Sequence, residues 1–179
     1  MNRFRHFLIL FVLIGAAFFG CKKGTIDYYT IGIKLEHHDN SGAYLVPAGP
    51  SVFSVAYVLR INYVSDSTGF FAVDDNNSYR GLNKPTALEI TSFQNFDSLH
   101  PSNSLLNDLF IAGPAIGSST NDIISNFSDT KDYYPTHEPD DLWLMKSPQN
   151  AGAYIFVVKM TFDDGRILSD TTSSITLVP

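Results

Sequence analysis

The chain has 179 residues, with 18 acidic side chains against 12 basic ones and a net charge of −6 at pH 7. That balance excludes attraction to nucleic acid or to an anionic bilayer by charge. Charged residues make up 17% and aromatics 13%, a composition that suits a folded, β-rich domain rather than a disordered or long-helical one.

The first element is a leader. Arg3 and Arg5 precede an apolar run over 7–19, and Gly20-Cys21 follows it. The run is shorter than the ~20 apolar residues that span a bilayer. Charged, apolar and small residues in that order form an export signal that is cut off. Phe18-Phe19-Gly20-Cys21 resembles the lipobox of bacterial lipoproteins, with Phe18 where that family usually carries Leu. The resemblance implies residues 1–20 as signal peptide and Cys21, the only cysteine, as the lipid-modified first residue of the mature chain. The alternative is an ordinary signal peptide that leaves Cys21 as a free thiol, which is reactive in an oxidising compartment.

Cleavage would leave 159 residues with 10 basic and 18 acidic side chains, hence a net charge of −8. That is one domain, long enough to bury a core. Residues 21–27 read as a lipidated tether and 28–179 as the domain. Lys22-Lys23 are too few for a polybasic anchor, so lipid must hold the chain. Stable anchoring takes two signals, which the diacylglycerol and amide-linked chains (palmitate among them) of such lipoproteins supply. The implied partner is a membrane, through the anchor at Cys21. The implied location is the outer membrane of a cell envelope. The periplasmic face is favoured over the cell surface, because Lys22-Lys23 stand where surface export in such bacteria is marked by acidic residues.

Strand patterns dominate the remainder of the chain. Over 28–36, Tyr29, Ile31, Ile33 and Leu35 alternate with Thr30, Gly32, Lys34 and Glu36, which predicts a strand with one wet face. His37 to Gly42 reads as a turn, and 43–50 as irregular around Pro47, Gly49 and Pro50. One strand is predicted over 52–63, with Phe53, Val55, Tyr57, Leu59, Ile61 and Tyr63 on one face. A short strand is expected at 70–73, a polar loop over 74–85 and a strand over 87–93. Leu105, Leu106, Leu109 and Phe110 recur at helical spacing, with Ser102 or Ser104 as cap and Gly113-Pro114 as stop. Residues 115–138 read as loop and 142–146 as a short strand. The last pattern is a hairpin. Tyr154, Phe156, Val158, Met160 and Phe162 share one face, and Asp163-Asp164-Gly165 supplies the turn. Residues 166–168 and 173–178 return.

The predicted fold is mainly β: an antiparallel β-sandwich of about seven strands with one short helix in a long connection. The stretch 88–93, the closing run 154–158, Asp163-Asp164-Gly165 and Ile175-Thr176-Leu177 resemble the immunoglobulin-like sandwich domains of Bacteroidota-type lipoproteins. That family brings no activity to carry over, and the immunoglobulin cysteine pair is absent. Asp66-Ser67-Thr68, Asp97-Ser98-Leu99 and Asp170-Thr171-Thr172 match a short O-glycosylation pattern of exported proteins of that type.

Chemistry-bearing candidates are few. His37-His38 are adjacent, so on a strand they point apart and do not converge on a metal. The oxygen-rich 74–77 stretch lacks the Gly and distant Glu of a calcium loop. Neither is read as a metal site, and no cofactor is expected. Asp163-Asp164 belong to the hairpin turn, and Asp140-Asp141 form the other carboxylate pair. No nucleophile motif accompanies them, and no catalytic residue is assigned. The stretch from Tyr133 and Tyr134 through Asp140 and Asp141 to Trp143 combines rings with carboxylates. Rings stack on sugars and carboxylates accept their hydroxyls, so this loop is the candidate ligand rim. The weighed alternative, and the expected one, is a Trp143 buried in the core or between sheets. The expected function is a non-catalytic binding or structural lipoprotein that meets envelope proteins. A glycan-binding accessory using the 133–143 loop is the alternative, and a hydrolase with an unrecognised site is the second.

Overall fold

A computed structural model describes residues 25–66, 78–112 and 139–179. The leader with Cys21, the stretch 67–77 and the stretch 113–138, including Tyr133 and Tyr134, lie outside the described residues. In chain order the strands are β1 (Thr25–Tyr28), β2 (Thr30–Asp39), β3 (Val46–Pro47), β4 (Ser51–Phe53), β5 (Tyr57–Ser65), β6 (Ser78–Gly81) and β7 (Pro85–Ser92). After them come β8 (Phe110–Ala112), β9 (Asp140–Leu144), β10 (Gly152–Tyr154), β11 (Phe156–Phe162), β12 (Ile167–Thr171) and β13 (Ile175–Val178).

The fold is mainly β. One sheet has five strands in the order β3-β2-β5-β9-β8, every neighbour antiparallel. A second is the antiparallel β12-β11-β7, and a third is β10-β13-β4, in which β13 and β4 run parallel. β1, just before β2, pairs in parallel with β6. The apolar faces share one core, as in a β-sandwich. Tyr57, Leu59 and Ile61 of β5 and Leu142 and Leu144 of β9 meet Ile90 of β7, Phe156, Val158 and Met160 of β11 and Ile175 and Leu177 of β13.

Several strands are shorter than the apolar runs that predict them. The run 52–63 breaks at a 3-10 turn, Ser54–Ala56. The turn resets the alternation, so Tyr57, Leu59 and Ile61 are buried while Phe53 and Val55 are exposed. The run 153–162 breaks at Ile155. Gln94 holds the break: its side-chain oxygen accepts the Ile155 N–H at 2.8 Å, and the Phe93 N–H donates to the Ile155 carbonyl at 3.1 Å. The break lets one segment serve two sheets, β10 pairing with β13 and β11 with β7 and β12. The other face of β11 is half-exposed at Val157 rather than covered. The hairpin turn is as read, with Gly165 at φ +81°, where a side chain is strained.

Four expectations are corrected. No helix forms over 102–110, where only a 3-10 turn, Asn107–Leu109, appears. Asn103 sits at φ 62° and Asn107 bonds to a strand edge instead of continuing a helix. Its Nδ2 donates to the Leu88 carbonyl at 2.6 Å, and its Oδ1 accepts the Ile90 N–H at 2.9 Å. The turn expected at 37–42 begins later, because His37 and His38 belong to β2. The expected tether over 21–27 is shortened by β1, and β6 stands within the expected polar loop.

In β2, Ile31 is an extra residue at a bulge, since Thr30 pairs with Ser65 and Gly32 with Val64. The bulge turns Thr30 inward and leaves Tyr29 and Ile31 exposed, opposite to simple alternation. Asn83 satisfies the inverted backbone by accepting the Thr30 N–H at 2.9 Å and donating to the Thr30 carbonyl at 3.1 Å.

β13 is central in its sheet, and Ile175 and Leu177, not Val178, face the core. Leu177→Ala is therefore expected to cost ~2–5 kcal/mol, and Val178→Ala under ~1 kcal/mol, in denaturant unfolding. Equal costs would show that the closing strand does not take this register.

Candidate functional site

Residues that pair across antiparallel strands share a face. The register β2–β5–β9–β8 therefore assigns every side chain of the five-stranded sheet to one of two surfaces. The inner surface carries Ile33, Leu59, Ile61 and Leu142 into the core. The outer surface carries two adjoining rows. The first runs His38–Val58–Trp143–Ile111 across four strands, with Pro47 beyond His38. The second runs Glu36–Arg60–Asp141.

The candidate rim is thus divided. Asp141 and Trp143 lie on the outer surface. Asp140 points to the inner side of the sheet, where it accepts a hydrogen bond from the Tyr63 hydroxyl. Adjacent strand residues point apart, so Asp140 and Asp141 do not converge as an acid–base pair. Trp143 is half-buried and outside the core, contrary to the expectation of a core tryptophan.

In the second row, Arg60 grips Asp141 with two parallel hydrogen bonds, Nε to Oδ1 at 2.7 Å and Nη2 to Oδ2 at 2.9 Å. The bonded Asp141 carboxylate pushes the Arg60 guanidinium above its ordinary range. In the first row, Val58 is fully buried between His38 and Trp143. The rows are linked by the contact of His38 Nε2 with Glu36 Oε2 at 3.3 Å. That hydrogen bond, the largest cause, draws the Glu36 carboxyl below its ordinary range. Trp143 Nε1 and His38 Nδ1 are buried atoms with no hydrogen-bond partner among the described residues. Buried polar atoms are nearly always paired, so two orphans in one row are unusual. The two rows hold an indole ring, two buried unpaired ring nitrogens and two carboxylates around one guanidinium. Such a set can stack on an apolar ligand face and exchange hydrogen bonds with hydroxyls.

His37, on the inner side, has a structural part. The Ser173 carbonyl can only accept, so His37 Nε2 carries the proton and donates at 2.9 Å. Nδ1 then accepts from the Tyr57 hydroxyl at 2.8 Å. Burial holds the imidazole below its ordinary range and pushes the Tyr57 phenol well above its own. A second His cluster ties a loop. The Asp97 carboxylate meets Lys146 Nζ at 2.7 Å and His100 Nδ1 at 2.8 Å and accepts the Leu99 and His100 N–H groups. Lys146 leads these in holding Asp97 far below the usual carboxylate range. Of the glycosylation-like triplets, Ser98 and Thr171 are exposed, and Ser67 lies outside the described residues.

Glu36 and Arg60 were not singled out from the sequence, and His38 was weighed only as half of a metal pair that adjacency rules out. Their signal was the polar face of two alternating strands, and only the strand register brings them beside Trp143. Compared with protein-family models, with curated proteins and with solved structures, the chain finds no match.

Burial, the largest cause, raises the Asp140 carboxyl above its ordinary range, although the Tyr63 hydrogen bond opposes it. The folded chain therefore holds this proton more tightly than the unfolded chain. Its contribution to stability falls as pH rises above the ordinary carboxylate value of about 4. Asp140→Asn keeps an acceptor for Tyr63 and removes the charge. The variant is expected to gain in melting temperature on the wild type as pH is raised from acid to neutral. A constant difference across that range would refute the assignment.

Proposed function

We propose that this chain is a lipid-anchored envelope lipoprotein whose domain acts by binding rather than by catalysis. The anchor is Cys21, supported by the order Arg3, Arg5, apolar run, Gly20, Cys21. The binding surface is the outer face of the five-stranded sheet. The observation that carries this reading is the row holding the two orphaned polar atoms, Trp143 Nε1 and His38 Nδ1. The periplasmic side of the outer membrane, and the immunoglobulin-like type of sandwich, belong to the same proposal.

A glycan is the ligand class favoured within it. Trp143 stands on an outward face beside Asp141 and within one row of Glu36. Aromatic ring and carboxylates together suit a sugar with one apolar face and hydroxyls at its rim. Envelope proteins remain the other partner class, and a hydrolase is disfavoured by the divergence of Asp140 and Asp141.

Two measurements test the reading. Cys21→Ala should abolish incorporation of a palmitate analogue and leave the leader uncleaved; normal labelling of that variant refutes the anchor. Titration with envelope oligosaccharides should shift the emission of Trp143, the sole tryptophan. Trp143→Ala should then lose binding while costing less than the ~3–5 kcal/mol of a core aromatic. A core-sized loss of stability, or an emission that no oligosaccharide or envelope protein moves, would remove the outer face as the binding surface.

A further inference from the structure

We propose that the end of the domain where the chain enters lies against the bilayer surface, with Tyr29, Ile31, Leu82 and Ile167 as its apolar contact. The inference rests on the Cys21 anchor proposed above. These four side chains are large, apolar and exposed, at 41%, 49%, 38% and 64%. They stand on three segments that contacts draw to one end of the molecule. The Leu82 N–H donates to the Tyr28 carbonyl, and the Asp66 N–H donates to the Tyr29 carbonyl, each at 2.9 Å. Arg166, next to Ile167, lays its guanidinium 5.5 Å from the centre of the Tyr29 ring. The β2 bulge is what turns Tyr29 and Ile31 outward, and it places two more apolar groups on a surface already holding Leu82 and Ile167.

Covalent reach selects the occupant. Three residues separate Cys21 from Thr25, the first residue of β1, and the four Cα–Cα steps between them extend at most about 14 Å. Tyr29 follows directly on β1. The opposite end of β2, at Asp39, lies a further ten-residue strand away, about 33 Å. Tyr29 is thus at most about 29 Å of chain from Cys21, and a lipid at Cys21 tethers the Tyr29 end nearer the bilayer than the Asp39 end.

The contact is apolar, not electrostatic. Three described acids at this end are already engaged. Asp66 Oδ1 accepts the Tyr29 N–H at 3.0 Å, Asp163 Oδ1 accepts the Lys84 N–H at 2.9 Å, and Asp164 Oδ2 accepts from Arg166 Nε at 2.7 Å. Tyrosine with isoleucine and leucine at an interface is the composition that sits at headgroup level, where an amphipathic ring has one wet and one dry edge. This arrangement turns the far end of the domain, with exposed Tyr44 and Val55, toward a partner in solution.

The test uses the full chain, exported and processed in a lipoprotein-making bacterium and reconstituted into vesicles of phosphatidylethanolamine and brominated phosphatidylcholine. Trp143→Phe removes the native indole, and either Ile167→Trp or Val55→Trp supplies a new one. Bromine should quench the indole at position 167 about twofold, as expected for interfacial residence, and leave the indole at position 55 unchanged. High salt should not alter either result. Palmitate labelling of the same samples separates the two levels of the inference. Labelled protein with an unquenched indole at 167, or with quenching at 55 instead, overturns the orientation alone. Unlabelled protein overturns the anchor and the orientation with it.

Discussion

The contact on which the fold depends is the seating of Phe156 between the layers. Its ring stacks on Tyr57 of the five-stranded sheet at 5.5 Å and on Tyr154 of the third sheet at 6.3 Å. It meets Phe110, on the far edge of the five-stranded sheet, edge-on at 5.8 Å. Three sheets are thereby joined through one side chain with no exposed surface. Each aromatic pair contributes ~0.5–1.5 kcal/mol beyond the area it buries. Phe156 can take this place only because the chain changes sheets at Ile155. Thr172 secures Phe156 by accepting its N–H on the threonine hydroxyl and donating its own N–H to the Phe156 carbonyl, each at 2.9 Å.

Once Tyr57 is committed inward against Phe156, the outer surface is settled too. Tyr57, Leu59 and Ile61 take the core, so Val58, Arg60 and Asn62 must face out. Their partners on β9 are then Trp143 and Asp141, and on β2 His38 and Glu36. The outer surface is the obligatory reverse side of the packing, and its rows stand on paired backbone. That pairing holds the indole and the carboxylates at fixed spacing.

Polar side chains do the joining where strands end. The Leu35 N–H, on the free side of β2, donates to the Asp170 carboxylate of β12 at 2.8 Å, bridging two sheets. His37 bridges Tyr57 to the segment between β12 and β13. Asn107 covers the free edge of β7 in place of a strand. Each satisfies backbone or ring groups that would otherwise be buried unpaired at ~1–3 kcal/mol apiece, and each blunts an edge that would otherwise pair with another chain.

The amino-acid sequence by itself determined the strand-rich character, the Asp163-Asp164-Gly165 hairpin and the buried face of β11. Alternation and turn chemistry are local, and there they agree with the tertiary packing. It determined equally that Asp140, Asp141 and Trp143 are polar or ring-bearing neighbours in one stretch. Tertiary structure decided everything that needs a second strand. The break at Ser54–Ala56 and the bulge at Ile31 invert faces that alternation alone assigns, exposing Phe53, Val55, Tyr29 and Ile31. The helical spacing of Leu106, Leu109 and Phe110 is answered by a 3-10 turn, because Asn107 gains more from the β7 edge than from a helix. The candidate site was half legible. Asp141 and Trp143 stand within two residues of each other, but Glu36, His38 and Arg60 are 81 or more positions from Asp141. Only the register of three strands, set by which face the core claims, brings them to one surface.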